Sequence, residues 1–287
     1  MFRRVDKQAL RKNNPPRYLF HKEKQPMTNK LRILVTNDDG IHSPGLTALA
    51  DALGTLGEVW IIAPDRERSA VSHSFTMNHP IRAHQLSERV YMIDGTPADC
   101  VMFGARGFLD FKPDLVASGI NRGPNLGIDT VYSGTVAGAH EGHLNNVPSF
   151  AISLNLVVPG ETQHFNTAGK IACVIAKDML NKHMPDGTFL NVNVPNLPYE
   201  ELKGITATRL GERVYRDVII QRHDPQGKEY YWIGGETPTW VEAEGTDFHA
   251  IEDGKVSVTP LGHDFTQFHA IAEIDKWNLD VNQSDSK

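Results

Sequence analysis

Apolar positions fall into two regimes along this chain. Up to about residue 200 they come as short continuous runs, "LRILVT", "EVWIIAP", "PDLVASGI", "PSFAISL" and "TFLNVNVP". Runs without alternation, bounded by Gly, Pro, Asn or Asp, read as strands buried on both faces. Between them the spacing turns helical. Ser43-Pro44 supplies an N-cap and a proline at the first helical position, and "GLTALADALGTLG" runs from there to glycine stops. Thr96-Pro97 opens a second helix through "ADCVMFGARGF", "IRAHQL" and "RVYMID" make a hairpin, and a long helix is expected near 163 to 183. Strands alternating with helices predict an α/β fold with a mainly parallel sheet covered on both faces. Beyond about residue 200 the pattern changes to short alternating segments, "ITATRL", "RVYRDVIIQ", "EYYWIGG" and "KVSVTPL". These predict an antiparallel β appendage that projects from the body and exchanges with a partner subunit. The division expected is an extension at 1–26, a catalytic α/β domain at 27–200, a β-rich oligomerisation and swapping region at 201–275, and a polar, frayed tail at 276–287.

Length and composition add limits. A chain of 287 residues can bury a substantial core. No apolar run approaches the ~20 residues of a membrane helix, and no secretory leader opens the chain, so a cytoplasmic location without membrane contact is expected. Cys100 and Cys173 are the only cysteines, both in helix-like apolar surroundings, which argues for core thiols rather than a disulfide framework. Charge is uneven: residues 1–26 carry +6, against −6 for the whole chain. That arm reads as a disordered extension or as the product of an upstream start codon, with an Arg-rich transit peptide as the alternative. The acidic body repels phosphate backbones, so no duplex nucleic acid is expected as a partner.

Candidate chemistry gathers where the runs end, because parallel sheets place their ligands at strand C-termini. "ILVTNDDGIHSPG" leaves the first strand with Asp38 and Asp39 side by side. Two adjacent carboxylates in a half-buried site repel, so either one is protonated or a cation neutralises both. A solvated turn before a helix is the bland alternative. Three further strand ends supply short polar groups: "APDRERSA" offers Ser69, "SGINRGPNLG" offers Asn121 and Asn125, and "YSGTVAGAHEG" opens a helix with Ser133, Gly134 and Thr135. Hydroxyls and amide N–H groups at a helix start favour an anion. Carboxylate, hydroxyl and amide oxygens together form a hard donor set, suited to Mg²⁺ or Mn²⁺ rather than zinc.

The series "TNDDGIHSPG", "APDRERSA", "DGTPADCV", "SGINRGPNLG", "YSGTVAGAHEG", "LNVNVP" and "GTDFHAIEDGKVSVTPL" resembles, in order and spacing, the motifs of the stationary-phase survival protein SurE family. That resemblance implies a Rossmann-like three-layer α/β/α domain with a smaller β-rich region that swaps elements into homodimers or homotetramers. It implies a metal-dependent phosphomonoesterase that removes phosphate from nucleoside 5′- and 3′-monophosphates and also degrades short polyphosphate. One divalent cation per subunit would sit on Asp38, Asp39, Ser69 and Asn121, with Asn125, Ser133, Gly134 and Thr135 on the phosphate side. Catalysis would rest on Asp38, Asp39, Asn125 and Ser133. The chain departs from the family pattern at Glu67, where asparagine is common, at Ala70, where glycine is frequent, and at Lys255, where an aromatic often stands. Glu67 adds negative charge near the site.

Phosphate-ester hydrolysis is among the slowest uncatalysed reactions, so stabilising transition-state charge dominates, and an acidic protein needs a cation for it. Either Asp38 or Asp39 is placed to accept a proton from the attacking water, and the residues do not say which. His42, His73, His79 and His249, the last beside Asp247, are candidates for a leaving-group acid, and each has a structural alternative. Arg66 and Arg68 are candidates for attracting phosphate, and Tyr231 and Trp232 for stacking on a base. The acids are adjacent rather than in the spaced Asp-x-Asp of haloacid-dehalogenase-type phosphatases. Neither Gly-x-Gly-x-x-Gly nor Gly-x-Ser-x-Gly is present at the relevant turns. A metal-bound nucleotide sensor without turnover is the competing class.

Overall fold

In the computed structural model, the residues described are 30–279 except 157, 159, 183, 216, 236–238 and 278. The basic arm at 1–26 and most of the tail at 276–287 therefore lie outside the described residues. Strands β1 (Arg32–Thr36), β2 (Glu58–Pro64), β3 (Ala83–Ser87), β4 (Val90–Ile93), β5 (Leu115–Arg122), β6 (Ser149–Asn155), β7 (Thr188–Pro195), β8 (Ile205–Ala207) and β13 (Val256–Gly262) make one sheet. Its order is β3-β4-β2-β1-β5-β6-β7-β13-β8. From β4 to β7 every neighbour is parallel, and the antiparallel pairs are β3 with β4 and β7 with β13. Helices α1 (Pro44–Leu53) and α5 (Phe165–Asn181) pack together on one face, and α2 (Pro97–Phe103) and α4 (Gly134–Leu144) on the other.

Alternation within a single strand serves both layers. In β1, Ile33 and Val35 join the core under α1 and α5, while Leu34 joins Ile62, Cys100 and Val101 under α2. In β5, Leu115 and Ala117 go one way and Val116 the other. A strand with both faces covered has no polar side to show, and that is why these segments are unbroken apolar runs. Cys100 is a buried core thiol; Cys173 is only partly buried. Thr96 caps α2 by accepting from the Asp99 amide, and the Asp99 carboxylate accepts from the Thr96 amide in return.

The expected boundary at 200 does not coincide with an edge of the sheet. Strands β8 and β13 lie beyond it yet are the last two strands of the main sheet. The alternation of "KVSVTPL" reads as a free antiparallel strand, but it comes from pairing antiparallel to β7 near the sheet edge, where Val256 is fully buried and Leu261 partly exposed. What does stand apart is a ribbon of β10 (Asp217–His223) and β11 (Glu229–Gly235), with a second short pair from β9 (Arg213–Val214) and β12 (Thr239–Trp240). Short helices α3 (Asp129–Tyr132) and α6 (Asp247–Glu252) and the terminal α7 (Phe268–Asp275) complete the described elements.

Candidate active site

The site grows from the C-terminal end of β1. Asn37 and Asp38 follow Thr36, and the Asn37 side-chain amide donates to the Gly40 carbonyl at 3.0 Å, folding the turn. Gly40 has φ +94, and its backbone runs so close to Arg66 that a Cβ there would stand 3.0 Å from the Arg66 carbonyl carbon. The Arg68 amide donates to the Asp38 carbonyl at 2.7 Å, which ties the loop after β2 to the loop after β1.

Asp38 is buried at the N-terminal end of α4. One carboxylate oxygen accepts from the Thr135 amide at 3.0 Å and the other from the Thr135 hydroxyl at 2.5 Å. This approach needs a glycine, since a Cβ on Gly134 would fall 2.8 Å from the Asp38 Cβ. Burial pushes the Asp38 carboxyl up to about 6, the Thr135 hydroxyl pulls it down, and the charge of Asp39 raises it again. Asp39 is likewise raised, by burial first and by Glu67 among the charges, while its carboxylate accepts from the Arg122 amide at 3.1 Å. Among the described residues neither aspartate is ion-paired with a Lys, Arg or His side chain.

Asp38 opens onto a cleft of about 440 Å³ lined also by Ser69, Asn121, Arg122, Asn125, Asp129, Tyr132, Ser133 and Tyr215. Four of the residues expected at the site, Ser69, Asn121, Asn125 and Ser133, thus meet Asp38 there. Ser69 donates its hydroxyl to Glu67 at 2.7 Å, and Asn121 donates to the Gly123 carbonyl at 2.8 Å, which leaves the Asn121 amide oxygen free of that bond. Asn125 gives one N–H to Ser153 at 2.8 Å, and its backbone carbonyl accepts from Asn191 and Asn193. Ser133 is the N-cap of α4 and accepts from the Val136 amide at 3.0 Å, so its own O–H remains to donate. Thr135 stands in another relation to the cleft: its hydroxyl and amide both serve Asp38 and it does not line the wall.

The oxygen set suits a hard divalent cation on two grounds. It contains two neighbouring carboxylates, of which Asp39 is only partly offset by the Arg122 charge, and its other members are hydroxyl and amide oxygens. Among the described residues no group of three or more His, Cys, Asp or Glu is arranged to hold a metal. Half of the set here is serine and asparagine, Ser69 and Asn121.

The other candidates lie elsewhere. His42 is exposed on its turn, His79 contacts the Pro80 carbonyl, and His249 faces Asp253 at 3.7 Å on α6. His73 joins His140 at 3.2 Å and the buried Glu141 at 3.1 Å, fastening the Ser69 loop to the flank of α4. Arg66 and Arg68 pair with Asp65, and Arg68 also donates to the Asp94 carbonyl. Tyr231 and Trp232 are exposed on β11 and do not line the cleft. In exchange the cleft wall holds Tyr132, Tyr215 and Asp129, which pattern reading passed over. Tyr132 directly precedes Ser133 and was open to view in the motif, whereas Tyr215 arrives from 86 residues beyond Asp129, the residue its hydroxyl bonds.

The family model described as survival protein SurE matches residues 33–217. The chain belongs to the SurE family. A relative from Geotalea daltonii named 5′-nucleotidase SurE is 47% identical over 249 residues, covering 87% of this chain and 100% of the relative. Another of that name from Geobacter sulfurreducens is 47% identical, covering 87% of this chain and 94% of the relative. The crystal structure of the SurE protein from Aquifex aeolicus superposes with a TM-score of 0.77 at 46% identity, covering 86% of this chain and 100% of that one. The three-layer α/β architecture is that of the family.

Proposed function

We propose that this chain is a divalent-cation-dependent phosphomonoesterase acting on nucleoside 5′- and 3′-monophosphates, with short polyphosphate as a further substrate. Its family and its 5′-nucleotidase relatives make it a nucleotidase enzyme. The finer reading is carried by one observation: a buried Asp38, with a second carboxylate beside it on Asp39 and no ion-paired side chain of its own among the described residues, lines a cleft with Ser69, Asn121, Asn125 and Ser133.

Mg²⁺ or Mn²⁺, one per subunit, would be held by Asp38, Asp39, Ser69 and Asn121 and, when bound, would supply the positive charge that a phosphate dianion and its transition state require. The remaining work falls to the protein. Thr135 fixes both oxygens of Asp38 and so sets the direction of the carboxylate. Ser133 and the first amide of α4, at Gly134, donate to equatorial phosphate oxygens, since the next two amides are already engaged with Asp38 and Ser133. Asn125 adds its second N–H, and its orientation is held through Ser153, Asn191 and Asn193. Asp39, less buried than Asp38 and bonded by one backbone amide, accepts a proton from the attacking water.

Homodimers or homotetramers are part of the same proposal. Ile219 is 66% exposed, Trp232 63% and Ile233 82% on the β10–β11 ribbon, and α7 buries none of its residues. Apolar area of that extent suits contact with further copies. Among the described residues no helix is long and apolar enough to cross a membrane.

Phosphate release from adenosine 5′-monophosphate, adenosine 3′-monophosphate and short polyphosphate, each with and without Mn²⁺, tests the reading. Retention of nucleotide without release, in the presence of metal, would instead make the chain a sensor.

A further inference from the structure

We infer that Tyr132 and Tyr215 form an aromatic wall that receives the nucleobase, and that Asp129 is the residue that positions Tyr215 in it. The inference rests on the phosphomonoesterase reading for where the phosphate sits, and adds what lies beyond the phosphate.

Three observations carry it. First, both rings line the same cleft as Asp38, Ser69, Asn121 and Ser133, and both keep substantial exposure, 55% for Tyr132 and 40% for Tyr215. An exposed ring on the wall of a polar cleft offers an apolar face to a flat, poorly hydrated ligand such as a purine or pyrimidine. Second, Tyr215 is held through its side chain and Tyr132 through its backbone. Asp129 bonds the Tyr215 hydroxyl with one carboxylate oxygen and Arg213 with the other, while the Tyr132 carbonyl accepts from the Ser72 amide at 2.9 Å. Holding an aromatic side chain in advance lowers the ordering cost of stacking on it. Third, the two rings come from different places. Tyr132 immediately precedes Ser133, the cap of α4, so its distance from the phosphate donors is set by the backbone. Tyr215 belongs to the strap that follows Gly211, whose amide donates to Asp247 at 2.8 Å, while Asp247 also accepts from the Gly127 amide at 2.7 Å. One buried carboxylate thus fastens the strap to the loop that carries Asn125.

The test compares adenosine 5′-monophosphate with ribose 5-phosphate, which keeps the phosphate and sugar and lacks the base. Steady-state kinetics with Mn²⁺ are measured for the wild type, Tyr132→Leu, Tyr215→Leu, Tyr215→Phe and Asp129→Asn. Each Leu variant is expected to lower kcat/KM for the nucleotide about ten-fold, mostly through KM, and to leave ribose 5-phosphate unchanged. Tyr215→Phe keeps the ring and loses the bond to Asp129; it and Asp129→Asn are expected to give smaller, base-dependent losses of about three-fold. Equal losses on both substrates, or no loss on the nucleotide, would overturn the inference. Equilibrium binding of the phosphonate analogue of adenosine 5′-monophosphate separates this from failure of the hydrolase reading. If the wild type releases no phosphate yet binds the analogue in a way that depends on both tyrosines, the wall stands and the hydrolase does not. If binding ignores both tyrosines, the wall falls.

Discussion

Two buried aspartates, Asp38 and Asp247, differ in what surrounds them, and the difference separates a carboxylate that faces a cleft from one that is closed off by its donors. Asp247 is wholly buried and accepts from the amides of Gly127, Gly211 and Phe248, which come from three segments. Asp38 is buried as well, but both of its bonds come from one residue, Thr135; a second carboxylate stands next to it and a cleft opens before it. Burial raises both carboxyls. At Asp247 that cost is offset by a closed shell of backbone donors that joins segments together. At Asp38 the shell is left incomplete where a cation would finish it, so the site holds energy that ligand binding can release.

Asp38→Asn breaks the comparison hardest. Phosphate release should fall by about 10³-fold or more, measured with saturating Mn²⁺. The same variant should be more stable than the wild type in chelator. The folded carboxyl sits at about 6 against an unfolded value of 3.8, so the folded state holds extra protons between these values. The contribution of Asp38 to stability is therefore fully present below about pH 4 and is lost as pH rises from there through 6, by roughly 3 kcal/mol at 1.36 kcal/mol per pH unit. The advantage of the Asn variant should be largest above pH 6 and shrink towards pH 4 in thermal melts; an Asn variant that is less stable at pH 7.5 in chelator contradicts this account.

Asp247→Ala should do the reverse. Three amide donors lose their acceptor, and the expected destabilisation is about 2–4 kcal/mol in urea melts, independent of added metal. Activity should drop through a raised KM, because the Asn125 loop and the strap lose their common anchor.

Glu67→Asn sharpens the picture of Asp38 and its surroundings. It removes a charge that faces Asp39 and frees the Ser69 hydroxyl. Mn²⁺ titration should show affinity weakened about three- to ten-fold, with a smaller difference at high salt because Glu67 is exposed. The smallest expected effect is at Ala70. It adopts φ +54, a left-handed conformation that costs an alanine roughly 1 kcal/mol, so Ala70→Gly should gain about 0.5–1 kcal/mol in the same urea melts.

Much of the fold was legible because a doubly covered sheet writes itself as continuous apolar runs, and Ile33, Leu34 and Val35 need no alternation to be strand. The donor loops were legible because the strand-end rule converts each run into an address. Contacts that join distant segments were not. The pairing of Asp129 with Arg213 and Tyr215 spans 84 and 86 residues, and nothing local to either end announces it. His73, in a candidate loop, and His249, beside Asp247, both read as possible leaving-group acids, yet one is fastened to a buried glutamate and the other sits half-buried on α6. Strand β13 was misassigned because a near-edge strand and a free ribbon share the same alternation. Thr135 carried the motif's expected hydroxyl, but the closeness that Gly134 permits turned that hydroxyl towards Asp38.

The segment between β2 and β3 is stitched down at short intervals: Arg68 to the Asp38 carbonyl, Ser72 to the Tyr132 carbonyl, His73 to Glu141, and Thr76 to Asp99. A span fastened so often has no slack with which to swing outward. Ser69 and the turn that carries Asp38 are thereby kept in one fixed relation, so this side of the cleft meets a ligand already shaped.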